Sequence, residues 1–366
     1  MYDYLVVGAG LFGSVFAYEA TKRGKTCFVI DKRNHIGGTC YTRRVHGINV
    51  HQYGAHIFRT DSKDIWEYMN QFAEFNRFTN CPVANYNGQL YSLPFNMNTF
   101  YQMFGAQFPI AAEAYLEKDR VPCDNPKNLE EYCLATVGKT IYERLVKGYT
   151  EKQWNKKCSE LPPDILTLPL RFTFDNNYFN ERYQGVPIGG YAQIFVKMLE
   201  GSTVALGEDF IADREKFAGV AKKIVFTGKI DDFYCELFGS LEYRSLKFEE
   251  SVIQFENFQG NAVVNYTSGD VPFTRIIEHK HFEGTQSPYT VYTKEYPADY
   301  DGLNEPFYPI NTKRNQSLYE RYKELSKEDP NVLFGGWCGS YSNDTMDTTV
   351  KKALELVNKE LGVCEV

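Results

Sequence analysis

The N-terminal segment of the chain has a strand–turn–helix–strand pattern that few folds can accommodate. An apolar run at residues 4–7 leads into the glycine pattern Gly8, Gly10 and Gly13, and an amphipathic helix separates this turn from a second apolar run at residues 27–30. Short apolar runs of this kind are typical of strands that are buried on both faces of a parallel sheet. The segment therefore predicts a β-α-β unit of an α/β fold.

Each glycine of this turn has a specific use in dinucleotide binding. Gly8 permits the tight turn, Gly10 lets the backbone approach a pyrophosphate, and Gly13 lets the helix pack closely on the strand. The N–H groups and the dipole at the start of the helix then hold the phosphates. Asp31 follows the second strand, where an acidic side chain can bind a ribose hydroxyl. The sequence predicts a dinucleotide site, and the alternative is a glycine turn in an ordinary β-α-β unit.

Later glycines indicate which dinucleotide is bound. Gly37 and Gly38 follow Asp31 after only a few residues, and a glycine pair at this place is typical of FAD-binding members of the class. Such glycines let the chain pass close to the adenosine and flavin ends of the cofactor. Thr227 and Gly228, at the end of a later apolar run, are also typical of FAD folds. The sequence therefore favours FAD over NAD.

The remaining chain alternates between helical and strand-rich segments. Helical periodicity is found at residues 61–78, where Asp61 is a candidate N-terminal cap, and again in the middle third of the chain. Residues with high strand propensity dominate 170–190 and 240–310, for example in Phe172-Thr173-Phe174. We therefore expect helices in the middle of the chain and antiparallel strands after it.

These segments predict an α/β chain with three parts. They are a discontinuous FAD-binding Rossmann-like domain, an inserted helical domain and a twisted antiparallel sheet domain. The FAD-binding domain is assigned residues 1–78, 190–240 and 330–366, the helical domain residues 79–168, and the sheet domain residues 169–189 and 241–329.

Composition narrows the class of partner. The 366 residues carry a net charge of −7, so general electrostatic attraction to nucleic acid or to an anionic membrane is not expected. No apolar run approaches the roughly 20 residues that cross a bilayer. The nine cysteines are scattered and the six histidines have no zinc-binding spacing. We expect a cytoplasmic protein with reduced cysteines, no metal site, and neither nucleic acid nor membrane as a partner.

Several segments together resemble the UDP-galactopyranose mutase family. The G-Y-T-x-K-Q-W motif at residues 148–154 and the D-N-N-Y-F motif at residues 175–179 are specific to that family rather than to flavoproteins at large. Further matching segments, in the same order along the chain, are Gly8–Gly13, His35–Gly38, Tyr53–Phe58 and Thr274–Lys280. The resemblance implies an isomerase that interconverts the pyranose and furanose forms of a UDP-galactose-like nucleotide sugar.

The resemblance also implies an unusual use of the cofactor. In the family, FAD must be reduced, and its N5 attacks the anomeric carbon and displaces the nucleoside diphosphate without net redox change. An external reductant such as NAD(P)H, a homodimer and a role in polysaccharide biosynthesis are implied as well. The predicted cofactor-binding residues are Gly8, Gly10, Phe12, Gly13, Asp31, Lys32, Gly38, Thr39, His56, Ile57, Thr227, Gly228, Gly336, Trp337, Met346 and Asp347.

Family roles in substrate binding carry over to matching positions. The implied contacts are, for the uridine, Asn80, Phe95, Tyr149, Thr150 and Trp154, and, for the diphosphate, Tyr178, Arg275 and Tyr308. His56 would lie against the flavin near N5. Each role has a simpler alternative, namely core packing for Tyr149 and Trp154, a surface strand position for Arg275, and a buried structural role for His56.

The sequence departs from the family where the family binds phosphate and flavin. An arginine that contacts the diphosphate in the family is replaced by Thr167, and an arginine near the flavin is replaced by Trp337. A phosphate-binding tyrosine is replaced by Asn343, and a nearby aspartate by Thr345. Each lost charged hydrogen bond weakens binding by about 1.5–3 kcal/mol. Arg59 replaces a histidine and would restore a positive charge from another direction. His56, Arg59 and Arg275 are therefore the candidate catalytic residues.

These departures leave three functions open. The first is a mutase of this kind with another sugar, such as an N-acetylated or deoxy sugar. The second is an FAD-dependent enzyme that performs other chemistry on a nucleotide sugar. The third is a relative that binds a ligand without turnover.

Overall fold

The computed structural model describes residues 1–362, so Cys364 and the last four residues of the predicted FAD-binding domain lie outside it. The strands are β1 (Tyr2–Val7), β2 (Cys27–Asp31), β3 (Thr42–Val45), β4 (Ile48–His51), β5 (Phe58–Thr60), β6 (Val83–Tyr86), β7 (Gln89–Ser92), β8 (Tyr183–Gly185), β9 (Thr203–Leu206), β10 (Ala221–Phe226), β11 (Tyr243–Ile253), β12 (Val263–Tyr266), β13 (Arg275–Glu278), β14 (Thr290–Asp299), β15 (Pro306–Pro309) and β16 (Val332–Phe334). The α-helices are α1 (Leu11–Lys22), α2 (Lys63–Asn70), α3 (Met97–Phe104), α4 (Pro109–Asp119), α5 (Leu129–Thr136), α6 (Gly138–Ile141), α7 (Gly148–Trp154), α8 (Ala192–Leu199), α9 (Ile230–Phe233), α10 (Lys313–Leu325), α11 (Gly336–Gly339) and α12 (Met346–Leu361).

The N-terminal segment forms the centre of a five-stranded parallel sheet. The strand order is β16-β10-β1-β2-β9, and each neighbouring pair is parallel. Leu5 and Val6 in β1 are both fully buried because each face of the sheet is covered. Val6 packs in a core with α1, α8 and α12, whereas Leu5 packs with Phe210 and Phe226 on the other face. The predicted β-α-β unit is confirmed.

A seven-stranded sheet forms the second layer of the molecule. Its strand order is β15-β11-β14-β13-β12-β6-β7, and its pairs are antiparallel except for β12 and β6. The α/β class with a parallel and an antiparallel sheet is therefore as predicted. Strands β6 and β7 come from the stretch assigned to the helical domain, yet they extend this sheet. The domain boundaries remain a prediction.

The middle of the chain is helical, as expected, and has its own core. Helices α3 to α6 bury Phe100, Leu116, Leu129 and Ile141 against one another. A π-helical segment, Tyr142–Lys147, joins α6 to α7. A π-segment adds one residue per turn, and such segments frequently occur at functional sites. The face that α7 presents to its surroundings therefore cannot be read from a 3.6-residue period.

Two local predictions are wrong. Phe172-Thr173-Phe174 forms no strand, since its region is held by side-chain hydrogen bonds such as that from the Asn177 N–H to Asp175 Oδ1 at 2.9 Å. Such bonds compete with sheet pairing. Asp61 does not cap α2. Ser62 Oγ accepts the Ile65 N–H at 3.3 Å, and Asp61 Oδ1 accepts the N–H of Arg182.

Candidate active site

One cleft of about 1100 Å³ runs between the parallel sheet, the large sheet and the helical core. Its lining includes the carboxyl ends of three neighbouring parallel strands, at Val7, Asp31 and Phe226. Ligands of open α/β sheets bind at this edge. The volume exceeds the roughly 300–1,000 Å³ that is usual for one ligand. The cleft therefore has room for a cofactor and a second ligand.

The glycine turn leaves space for a phosphate chain at the start of α1. Gly8 has a φ of +112°, and a Cβ at this position would lie 2.0 Å from Thr227 Oγ1. A Cβ at Gly13 would lie 2.0 Å from the Gly8 carbonyl oxygen, so neither position has room for a side chain. A Cβ at Gly10 would meet only the Gly38 Cα, at 3.8 Å. Within the described residues no side chain caps α1, so its first N–H groups remain available to an anion.

Most predicted cofactor residues lie in the lining of this cleft. Asp31 is held by hydrogen bonds from the N–H groups of Ala9 and Arg33, both at 2.9 Å. The other predicted residues in the lining are Gly8, Gly10, Phe12, Gly13, Lys32, Gly38, Thr39, His56, Ile57, Thr227, Gly228, Gly336, Trp337 and Met346. Asp347 is not part of the lining, and its carboxylate accepts a hydrogen bond from the Thr345 hydroxyl.

His56 is half-buried in the lining and is held by a tight turn. Its Nδ1 lies 2.9 Å from the carbonyl oxygen of Gly54. Gly54 has a φ of +96°, and a Cβ there would lie 3.2 Å from Glu295 Oε2, so the turn requires glycine. Burial lowers the pKa of His56 below its ordinary value, and the charge of Arg275 acts in the same direction. A neutral imidazole is the result.

Helix α7 presents only part of its predicted face to the cleft. Tyr149 and Thr150 line it, together with Asn80, Phe95 and Tyr178 from other segments. The backbone ties two of these segments together, because the Tyr178 N–H donates to the Asn80 carbonyl oxygen at 2.8 Å. Trp154 is not in the lining. It packs against the helical core, and its Nε1 is buried without a partner among residues 1–362.

The position of α7 is fixed by a half-buried lysine. Lys152 Nζ lies 2.8–2.9 Å from four carbonyl oxygens, that of Tyr266 at the end of β12 and those of Ser268, Val271 and Phe273 in the loop between β12 and β13. The backbone also approaches closely here, because a Cβ on Gly148 would lie 2.4 Å from the Thr267 carbonyl oxygen. Lys152 thus clamps the loop to the helix that carries Tyr149 and Thr150.

Replacing Lys152 by methionine is expected to lower the free energy of unfolding by about 3 kcal/mol. The substitution leaves several carbonyl oxygens without a donor, and each unsatisfied buried group costs about 1–3 kcal/mol. Urea unfolding followed by circular dichroism measures the change. Lys139→Met on α6 is the control, because Lys139 forms only a 3.9 Å surface ion pair with Glu143. Equal losses in the two variants would contradict the clamp.

Arg275 and Glu295 form a largely buried ion pair in the cleft. Their strands place them opposite each other, and Arg275 Nε donates to Glu295 Oε1 at 2.8 Å. Glu295 is 2% exposed, and its Oε2 has no hydrogen-bond partner in the described chain. Tyr149 and Tyr308 lie close enough to Arg275 to act electrostatically on its pKa. Burial raises the pKa of Tyr308. The group presents one guanidinium and two phenols to a ligand.

Glu295 is a site residue that the sequence analysis missed. Its partner Arg275 lies on the adjacent strand β13, 20 residues earlier in the chain. An acidic residue in a strand of alternating polarity ordinarily faces solvent, so the glutamate at position 295 did not indicate a site residue. The register of β13 on β14 places it in the cleft.

Arg59 lies in the cleft but is already neutralised. Its guanidinium forms an ion pair with Glu181 and stacks over the ring of Phe179, 4.3 Å from the centroid. The other cationic lining residues are also paired with carboxylates: Lys32 and Arg33 with Glu305, Lys229 with Asp232, and Arg275 with Glu295. Arg59 therefore does not simply replace the arginine that is missing at position 167.

The four positions that depart from the family pattern all lie in the lining. Thr167, Asn343 and Thr345 contribute uncharged polar groups. Trp337 packs edge-on against Tyr243, with ring centroids 6.1 Å apart and an interplanar angle of 74°. The departures are therefore grouped in one compartment and are not scattered over the surface.

Two features of the described residues bear on the expected membrane and metal partners. Across residues 1–362, no helix combines the length and the apolar character that a membrane span requires. In the same part of the chain, Asp231, Asp232 and Glu236 are the acidic group close enough together to ligate a cation. Lys229 already pairs with Asp232 there, at 2.7 Å.

The fold and the cleft define a Rossmann-type dinucleotide-binding protein with a compartment for a second ligand. A family model for an NAD(P)-binding Rossmann-like domain matches residues 6–72. Among solved structures, a crystal structure of reduced UDP-galactopyranose mutase covers 100% of this chain and 97% of its own, with a TM-score of 0.76 at 13% identity. That likeness establishes the fold.

The family follows from the sequence relatives. The family model for UDP-galactopyranose mutase matches residues 144–343. A Klebsiella pneumoniae protein named "Probable UDP-galactopyranose mutase" is 40% identical over 98% of this chain and 95% of its own length. A dTDP-fucopyranose mutase of Escherichia coli is 35% identical over 97% of both chains. The chain belongs to the UDP-galactopyranose mutase family, a family of flavin-dependent isomerases that act on nucleotide sugars.

Proposed function

We propose that this protein is a flavin-dependent mutase that interconverts the pyranose and furanose forms of a nucleotide-diphosphate sugar. One observation carries the proposal. A single cleft contains both the glycine-rich edge of the parallel sheet and the Tyr149, Arg275 and Tyr308 group, and His56 also lies in its lining. A cofactor and a nucleotide sugar bound in these two halves would meet within one enclosed space.

FAD suits the first half of the cleft. Gly10 and Gly38 approach each other without side chains, and the uncapped start of α1 faces the same space. This arrangement suits a pyrophosphate. Asp31, anchored through two N–H groups, would bind the ribose. In the reduced state FAD supplies a nucleophilic nitrogen for displacement at the anomeric carbon.

The second half of the cleft would bind and orient the nucleotide sugar. Arg275 would contact the diphosphate, with the phenols of Tyr178 and Tyr308 as further hydrogen-bond donors. Tyr149 and Thr150 would face the base. Because the diphosphate is the leaving group, residues that hold it also keep it close for the return step.

The reduced cofactor needs stabilisation that Trp337 does not provide. The first turn of α12 lines the cleft through Thr345, Met346 and Thr349. A helix N-terminus carries about half a positive charge, and this 16-residue helix would offer it where the family has an arginine. We therefore propose that the reduced state is retained, supplied with electrons by an external donor such as NAD(P)H.

The substrate differs from UDP-galactose in our proposal. Thr167, Asn343 and Thr345 make the diphosphate compartment less charged and less bulky than the family pattern. The lost hydrogen bonds weaken a UDP-galactose site of the usual kind, and we propose an N-acetylated or a deoxy sugar in its place. The similarity to a dTDP-fucopyranose mutase adds dTDP-sugars to the candidates. We also propose a homodimer, a cytoplasmic location and a role in polysaccharide biosynthesis.

The ion pair of Arg59 gives a direct test of the diphosphate compartment. Glu181→Gln removes the carboxylate that neutralises Arg59 and leaves a cation in the lining. We expect UDP to bind about tenfold more tightly, since a hydrogen bond to a charged group contributes about 1.5 kcal/mol at the lower end of its range. Isothermal calorimetry measures the affinity. The double variant Arg59→Ala/Glu181→Gln is the control and should lose the gain, and an unchanged affinity in Glu181→Gln would place Arg59 outside the compartment.

The proposed function is tested with purified protein under anaerobic conditions. The flavin spectrum is recorded first, and the protein is then reduced with dithionite. UDP-galactose, UDP-N-acetylgalactosamine and dTDP-fucose are supplied separately, and products are separated by chromatography. A furanose product with one of them supports the mutase. Bound flavin without product on any nucleotide sugar would favour other flavin chemistry, and absence of flavin after gentle purification would favour a non-catalytic relative.

A further inference from the structure

Two buried histidines outside the cleft lining support the backbone at His56. The His56 N–H donates to Nδ1 of His51 at 3.1 Å, and the His51 N–H donates to Nδ1 of His279 at 3.2 Å. His279 Nε2 lies 2.8 Å from the hydroxyl oxygen of Thr293. The chain of contacts thus runs from His56 through the β4 end to the large sheet. These hydrogen bonds hold both ends of the turn formed by residues 51–56.

These contacts determine the tautomers of His51, His56 and His279. Because a carbonyl oxygen only accepts, His56 Nδ1 must donate to Gly54, so Nε2 carries the lone pair. Nδ1 of His51 and of His279 each accept a backbone N–H, so both rings carry their proton on Nε2. The Nε2 proton of His279 is donated to Thr293. His56 Nε2 is then the nitrogen left for a ligand.

The surroundings keep both supporting rings neutral. His51 is 2% exposed and stacks on Phe282 at 4.4 Å, and His279 is 1% exposed. Burial lowers the pKa of His279 to about 3, and Arg43 acts in the same direction while Glu278 opposes it. The titratable groups that face His51 are His279, His56 and Tyr191, whose ring lies edge-on to that of His51 at 5.8 Å. Protonation of either Nδ1 would also break its N–H···N bond.

This burial has a consequence for stability. Between about pH 6.5 and pH 3 the unfolded chain binds a proton at His279 and the folded chain does not, and the lowered pKa of His51 acts in the same direction. The protein should therefore lose stability as the pH falls through this window. A charged His51 or His279 is not compatible with the native turn.

We propose that His51 and His279 are positioning residues that hold His56 with Nε2 unprotonated and available in the cleft as a hydrogen-bond acceptor. The acceptor would serve an N–H or O–H group at the junction of flavin and sugar. This role rests on the proposed function. The charged groups that face His56 are Arg275 on β13, which acts on its pKa, and Glu295 on β14, which lies against Gly54.

Nitrogen-15 NMR of histidine-labelled holoenzyme tests the proposal. His56→Asn assigns the His56 signal. In the wild type we expect the Nδ1–H tautomer of His56 between pH 6 and pH 8. His51→Phe keeps a ring against Phe282 but has no acceptor, and should let His56 titrate near its ordinary pKa of about 6.5. His51→Asn places an amide oxygen near the site of Nδ1 and should restore the wild-type signal.

Kinetics and flavin properties provide the second readout. We expect His51→Phe to lower kcat about tenfold with little change in KM, and to shift the flavin midpoint potential, whereas His51→Asn should remain close to wild type. His281→Asn is the control, since that ring pairs with Glu278 at 3.1 Å rather than with a group of the turn.

The outcomes separate this inference from the proposed function. A wild-type His56 that is charged or carries its proton on Nε2 overturns the inference, even if His51→Phe fails to fold. A folded His51→Phe protein with wild-type tautomer, potential and kcat overturns it as well. A wild type that binds no flavin or forms no furanose refutes the proposed function instead, and the His56 tautomer still reports whether His51 and His279 fix the turn.

Discussion

Replacement of Arg275 by alanine is expected to reduce kcat/KM for the nucleotide sugar by about 10²–10³-fold. A guanidinium that binds a diphosphate through two charged hydrogen bonds contributes about 1.5–3 kcal/mol for each. Its pair with Glu295 is made through Nε, so the two terminal guanidinium nitrogens are not bonded to that carboxylate. Steady-state assays with the reduced enzyme measure the loss. A fall of less than threefold would remove Arg275 from the diphosphate site.

The same substitution also endangers the fold, and the two effects can be separated. Removing Arg275 leaves the carboxylate of Glu295 buried and unpaired, which costs about 3–5 kcal/mol. The double variant Arg275→Met/Glu295→Gln removes both charges and should recover most of that stability in urea unfolding. It should stay inactive, because the guanidinium proposed to bind the diphosphate has been removed. Arg275→Lys keeps the charge without the planar fork and should retain intermediate activity.

Gly10→Ala is expected to weaken FAD binding by about tenfold to a hundredfold while the protein still folds. The backbone at Gly10 has a φ of −78°, which alanine adopts readily, and the added Cβ meets only the Gly38 Cα, at 3.8 Å. In the holoenzyme that Cβ would occupy the path of the pyrophosphate and break charged hydrogen bonds worth about 1.5–3 kcal/mol. Flavin fluorescence titration measures the dissociation constant.

Two further glycines act as controls for this prediction. Gly269→Ala adds a Cβ in open space and should leave FAD affinity and stability unchanged. Gly13→Ala places a Cβ 2.0 Å from the Gly8 carbonyl oxygen and should destabilise the apoprotein itself. An apoprotein of wild-type stability with wild-type FAD affinity in Gly10→Ala would mean that the phosphates do not pass this glycine.

Predictions that depended on neighbouring residues in the chain are the ones that the structure confirms. The turn at Gly8–Gly13 and its flanking strands form a local unit, and its geometry restricts the residue type at each position. Predictions of where a helix begins, or of which of its faces lines the cleft, depend on contacts with distant segments. Asp61 and Ser62 are both good caps, and only the contact of Asp61 with Arg182 decides between them.

The sequence by itself determined the β-α-β start, the α/β class and, through its specific motifs, the family. These features depend on local backbone geometry and on residue order. Only the tertiary structure decided that Glu295 pairs with Arg275, that Glu181 neutralises Arg59, and that His51 and His279 support the turn at His56.

Those contacts join residues as far as 228 positions apart, and they depend on strand register and loop packing. A one-residue slip of β14 would turn Glu295 to the opposite face of the sheet. The π-segment before α7 similarly sets which side chains face the cleft, so that Tyr149 lines it and Trp154 does not. Register and helix phase are global properties of the packed chain, and no local pattern encodes them.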